Sequence, residues 1–126
     1  MRGEILAADG SWIKTPFLVD TGADRSALSA DILQPLRLPF IDSPDILSGV
    51  GGVADSVVVE SQIRFTHGDV GKVVFKGQFA GFTDLETLDM SVLGRDILDL
   101  FAVIVDRPGD NVCLIGQQHY YSIGKR

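Results

Sequence analysis

Fourteen glycines punctuate this chain of 126 residues, and the apolar runs between them are all short. That spacing constrains the fold more than any other feature, because closely spaced turn-formers favour many strands joined by tight turns. Strands are predicted at Glu4–Ala8, Ser11–Val19, Asp45–Ser48, Ser56–Phe65, Gly71–Phe82, Met90–Leu93, Phe101–Asp106 and Asn111–Ile115. Asp9-Gly10 is a hairpin signal between the first two strands, and Arg107-Pro108-Gly109-Asp110 plays that part between the last two. Ser29 is the expected N-cap of a helical turn over Ala30–Leu33 that Pro35 closes, and a short helix is predicted over Arg95–Leu100. The sum is an all-β fold, a small closed or partly open β-barrel with one short C-terminal helix, with residues 1–126 forming a single domain.

Composition narrows the function classes. Hydrophobic residues make up 45% and charged residues 22%, the balance of a chain that buries an ordinary core. No run of about 18 apolar residues is present, so no membrane contact is expected. Met1-Arg2-Gly3-Glu4 does not open a secretion signal, which makes a cytoplasmic location the expectation unless the domain belongs to a longer protein. A net charge of −6, with Lys and Arg scattered along the sequence, argues against a nucleic-acid surface. The only two histidines, His67 and His119, lack a ligand-type spacing, so neither metal nor other cofactor is expected. Cys113 lies in the run Val112-Cys113-Leu114-Ile115 and reads as a buried small hydrophobe.

Chemistry concentrates in Leu18-Val19-Asp20-Thr21-Gly22-Ala23. A carboxylate ends an apolar strand, followed by a hydroxyl and by a residue that lets another backbone approach closely. Taken alone, the segment fits either a catalytic aspartate or an Asx-type turn at a strand end. Downstream, Ser91-Val92-Leu93-Gly94-Arg95-Asp96-Ile97-Leu98 reads as strand, tight junction and helix. Between them lies a glycine-dense tip, Leu47-Ser48-Gly49-Val50-Gly51-Gly52-Val53.

In this order the three segments resemble the retropepsin-like aspartic proteases, the family of retroviral and retrotransposon proteases and their cellular relatives. The resemblance spans residues 4 to 116. It implies a homodimeric aspartic endopeptidase in which each subunit supplies one Asp20, and water attacks a peptide bond between the two carboxylates. Two carboxylates about 3 Å apart repel by roughly 5 kcal/mol at an effective dielectric near 20, so such a pair holds one proton tightly. Aspartic proteases are the type case of that coupled titration, and an acidic optimum follows.

By the same resemblance, Thr21 ties the two active-site loops together, and Asp24 pairs with Arg95 to brace each loop. Gly22, Ala23, Asp24 and Arg25 line the substrate. Ser48, Gly49, Val50 and Gly51 form a flap over an extended peptide or protein substrate, with Ser48 standing where viral members usually have glycine. A final hairpin over residues 101–115, where viral members have a single strand, leaves the dimer contact open. Two alternatives remain. One is a catalytically silent dimerisation or peptide-binding domain on the same barrel. The other is an Asp nucleophile for phosphoryl transfer, disfavoured because no Lys sits within the motif.

Overall fold

The computed structural model describes residues 1–41, 56–67 and 71–116. Its strands are β1 (Arg2–Leu6), β2 (Trp12–Val19), β3 (Ala27–Leu28), β4 (Ser56–His67), β5 (Gly71–Phe82), β6 (Ser91–Leu93), β7 (Ala102–Asp106) and β8 (Asn111–Ile115). Two helices, α1 (Ala30–Leu36) and α2 (Arg95–Leu98), complete the described elements. The first six strands close a barrel in the order β1-β2-β6-β3-β5-β4, and β7 and β8 form a separate two-stranded sheet. The predicted strand Asp45–Ser48 lies outside the described residues.

The first hairpin forms where the sequence places it. Asp9 accepts from the Ser11 backbone N–H at 2.9 Å and from its hydroxyl, which holds the Asp9 carboxyl below the usual carboxylate range. Gly10 takes φ +87°, a conformation that a side chain resists. Ala7 leaves the strand to donate to Ser11 O, so β1 ends two residues before its predicted limit.

Alternation along β2 and β4 then decides which side chains enter the barrel. Ile5, Phe17, Val59, Ile63, Phe65, Phe79 and Leu93 fill it, with Leu33 and Leu36 of α1 and Ile97 and Leu98 of α2 packed against them. Edge-to-face ring contacts run from Phe17 to Phe65 at 5.7 Å, on to Phe75 at 6.4 Å, and to Phe101 at 5.6 Å. Phe101 thereby ties the chain leaving α2 to the barrel wall.

Three expectations need correction, and one strand went unread. The described residues hold two helices, because α1 runs on to Leu36 with Pro35 inside it, ending at Arg37 in the left-handed region. A proline in the last turn of so short a helix removes only one main-chain hydrogen bond. The Ser29 hydroxyl does not cap α1, because it donates to Asp31 instead. Strand β3 was hidden because two residues carry no periodicity. Cys113 is exposed, since it pairs with Ile104 on the side of the β7–β8 sheet opposite Val103 and Leu114, which pack on the core.

Among the described residues, no helix is long and apolar enough to cross a membrane.

Candidate active site

Strand order explains the position of Asp20. β6 lies between β2 and β3, parallel to the former and antiparallel to the latter. The chain leaving β2 at Val19 must therefore pass around the end of β6 to return as β3, and residues 20–26 make that passage. Asp20 opens the loop, donating its N–H to Leu93 O at 3.1 Å. Its Oδ1 accepts from Gly22 N–H at 2.9 Å, and its backbone carbonyl accepts from Ala23 N–H at 3.2 Å. The carboxylate is thus fixed by its own loop, half-buried, with Oδ2 unpartnered among the described residues.

The other side of the passage is the Gly94-Arg95-Asp96 junction. A Cβ at Gly94 would come within 2.5 Å of Arg25 C, 2.6 Å of Arg25 O and 2.9 Å of Ala23 O, so only glycine fits there without moving backbone. Arg95 donates its backbone N–H to Ala23 O at 2.8 Å, and its guanidinium Nη2 donates to Asp24 Oδ1. That ion pair is exposed, with side-chain exposures of 48% for Arg95 and 71% for Asp24, so solvent screens it.

A second brace lies deeper, on residues that the sequence did not single out. Ser26 is fully buried. Its backbone N–H and hydroxyl both donate to Asp96 Oδ1, at 2.9 and 2.7 Å, while the hydroxyl oxygen accepts from Gly94 N–H at 3.0 Å. Asp96 Oδ1 also accepts from Ile97 N–H at 3.0 Å. Charge-assisted bonds of this kind are roughly twice as strong as neutral ones. The one available signal was a polar residue, Ser26, opening the small apolar run Ala27-Leu28.

The expected site residues therefore fall into two groups. Asp20, Thr21, Gly22, Ala23, Asp24, Arg25 and Arg95 are brought together around the end of β6, with Ala23 buried and Thr21, Gly22, Asp24 and Arg25 exposed. The Thr21 hydroxyl has no partner among the described residues. Ser48, Gly49, Val50 and Gly51 lie outside the described residues. No cluster of three or more His, Cys, Asp or Glu suited to a metal ion occurs among the described residues.

The family model for aspartyl proteases matches residues 6–97, from the end of β1 into α2. The chain belongs to the aspartyl protease family. Its fold is retropepsin-like. The structure titled "EIAV protease complexed with the inhibitor HBY-793" superposes with a TM-score of 0.53 at 23% identity, covering 79% of this chain and 85% of that one. A retropepsin-like aspartic protease from Rickettsia conorii gives a TM-score of 0.47 at 24% identity, covering 83% and 85%. No curated protein matches the chain.

Proposed function

We propose that this aspartyl protease family member is a homodimeric endopeptidase, with Asp20 of each subunit forming one catalytic dyad. The supporting observation is the carboxylate itself. Asp20 is held at a strand tip by Gly22 N–H on Oδ1, with Oδ2 open to a second group. The chain contains one Asp-Thr-Gly, and two carboxylates are needed for one to take a proton from water while the other gives one to the amide oxygen. A twofold axis beside Asp20 supplies the second. Thr21, exposed beside it, fits the role of bridging the two loops, and Asp24 with Arg95 braces each loop from outside.

The substrate is an extended peptide lying across residues 22–25, and Ser48, Gly49, Val50 and Gly51 close over it as a flap. The reaction needs no metal or cofactor, since the dyad both activates the water and protonates the leaving group.

The test is cleavage of a peptide library at mildly acidic pH, with and without pepstatin, alongside Asp20→Asn and sedimentation of the wild type. Asp20→Asn should lower turnover by at least about a thousandfold. A monomeric protein without pepstatin-sensitive cleavage would instead identify a silent peptide-binding domain. Cleavage surviving in Asp20→Asn would put the chemistry elsewhere.

A further inference from the structure

The sequence shows Lys and Arg as scattered, but the barrel gathers them. Arg2 of β1, Lys14 of β2, Arg64 of β4 and Lys72 and Lys76 of β5 alternate with inward-facing core residues and so share the outer face of four adjacent strands. These are five of the chain's eleven basic residues, on a protein of net charge −6. Register sets Lys14 opposite Glu4 and Glu4 opposite Arg64, with Arg2 and Thr66 one row along.

Two acids share the face, Glu60 of β4 diagonally across from Lys76 and Glu4 at its centre. Glu4 accepts from Arg64 Nε and Nη2, each at 3.1 Å, and lies 3.5 Å from Lys72 Nζ. The Arg64 bonds hold its carboxyl below the usual range. Arg64 is further fixed by lying 3.9 Å above the Trp12 ring. Arg2, Lys14 and Lys76 have no carboxylate partner among the described residues. Arg2, Lys14, Pro16 and Arg64, together with Glu4, line a depression of about 380 Å³ on this face.

We infer that this face is a docking site for an acidic segment of the protein substrate, outside the cleavage site. The inference rests on the proposed protease reading and adds a determinant of substrate choice to it. Its occupant follows from charge and dimensions. Four strands at about 4.8 Å spacing make a patch under about 20 Å wide, which suits a run of some six extended residues. Over the rest of the sequence acids outnumber bases more than twofold, a balance that disfavours a long polyanion such as RNA. The barrel is closed here and offers no free strand edge, so recognition is through side chains, modest in affinity and sensitive to salt.

β2 links the two sites. Lys14 stands six residues before Asp20 on one extended strand, roughly 20 Å at about 3.3 Å per residue. The acidic run of a substrate should therefore lie at least about six residues from the bond that is cut.

Two measurements test this. The first uses the full chain carrying Asp20→Asn, so that nothing is cleaved, and follows a labelled peptide of about six Asp and Glu residues by fluorescence anisotropy. Saturable binding is expected, weakened about tenfold when Arg2→Glu and Lys14→Glu reverse two exposed charges, and abolished in about 1 M salt. Arg2→Gln with Lys14→Gln should give a smaller loss in the same direction. Arg37→Gln with Arg107→Gln, away from the face, should change nothing. Absence of binding, indifference to the reversal, or tighter binding of a single-stranded oligonucleotide of equal charge would overturn the inference.

The second measurement compares wild-type cleavage of one peptide with and without a distal acidic run. The run should lower KM without raising kcat, and the effect should vanish in the charge-reversed variant. Cleavage indifferent to the run overturns the docking site and leaves the protease reading standing. Acidic-peptide binding with no cleavage of any peptide does the reverse.

Discussion

The Asp20 loop and the β7–β8 hairpin look alike as sequence, each an apolar run broken by glycine and aspartate, yet they are secured in opposite ways. The loop is held by partners about 70 residues away in sequence: Asp96 on Ser26, Arg95 on Ala23 and Asp24, and Leu93 on Asp20. The hairpin is held mainly by itself, through the register from Ala102↔Ile115 to Asp106↔Asn111 and a turn in which Gly109 N–H donates to Asp106 Oδ1. Only Val103, Leu114 and the preceding Phe101 reach the core, and Ile104 and Val105 stay 40% and 60% exposed. Long-range fixation marks the region where a carboxylate must keep its place. Local pairing suffices where no side chain has to be aimed.

Substitutions can break this contrast. Gly94→Ala should have the largest effect, because its new methyl would push on the backbone of Ala23 and Arg25 rather than on a yielding side chain. Denaturant unfolding should show a loss of about 3 kcal/mol or failure to fold, and a loss below about 1 kcal/mol would show the loop to be pliant. Ser26→Ala comes next. It leaves the buried Gly94 N–H without an acceptor and removes one of Asp96's donors, at about 1–3 kcal/mol in the same assay.

Arg95→Lys should shift stability by less than about 1 kcal/mol, since the pair with Asp24 is exposed. Peptide cleavage should fall all the same, because an ammonium cannot reproduce the guanidinium's planar fork. Unchanged turnover would remove Arg95 from the site. Cys113→Ser should be the mildest, within about 0.5 kcal/mol, and a larger loss would show that the outer hairpin face is covered in solution.

Much of this was legible in the chain. Alternation found β2, β4 and β5, whose side chains divide between barrel and solvent, and turn chemistry found the β1–β2 and β7–β8 hairpins at Gly10 and Gly109. Asp20 and the Gly94-Arg95 junction were readable because strand ends and tight junctions leave local marks. Other features depend on what lies across space. Two-residue β3 exists only because β5 and β6 flank it, and Ser26 meets Asp96 only after the sheet forms. Cys113 was misplaced because an apolar run does not say which of its faces the barrel will cover. The basic face was invisible for a related reason, since its cations come from four strands that become neighbours only on closure.

The insertion of β6 between β2 and β3 also fixes an order of events. Asp20 comes early in the fold, but the residues that clasp its loop end at Asp96. A ribosome must deliver every residue from Asp20 through Asp96 before that clasp can form. Until then the aspartate waits at a strand tip whose neighbouring strand does not yet exist.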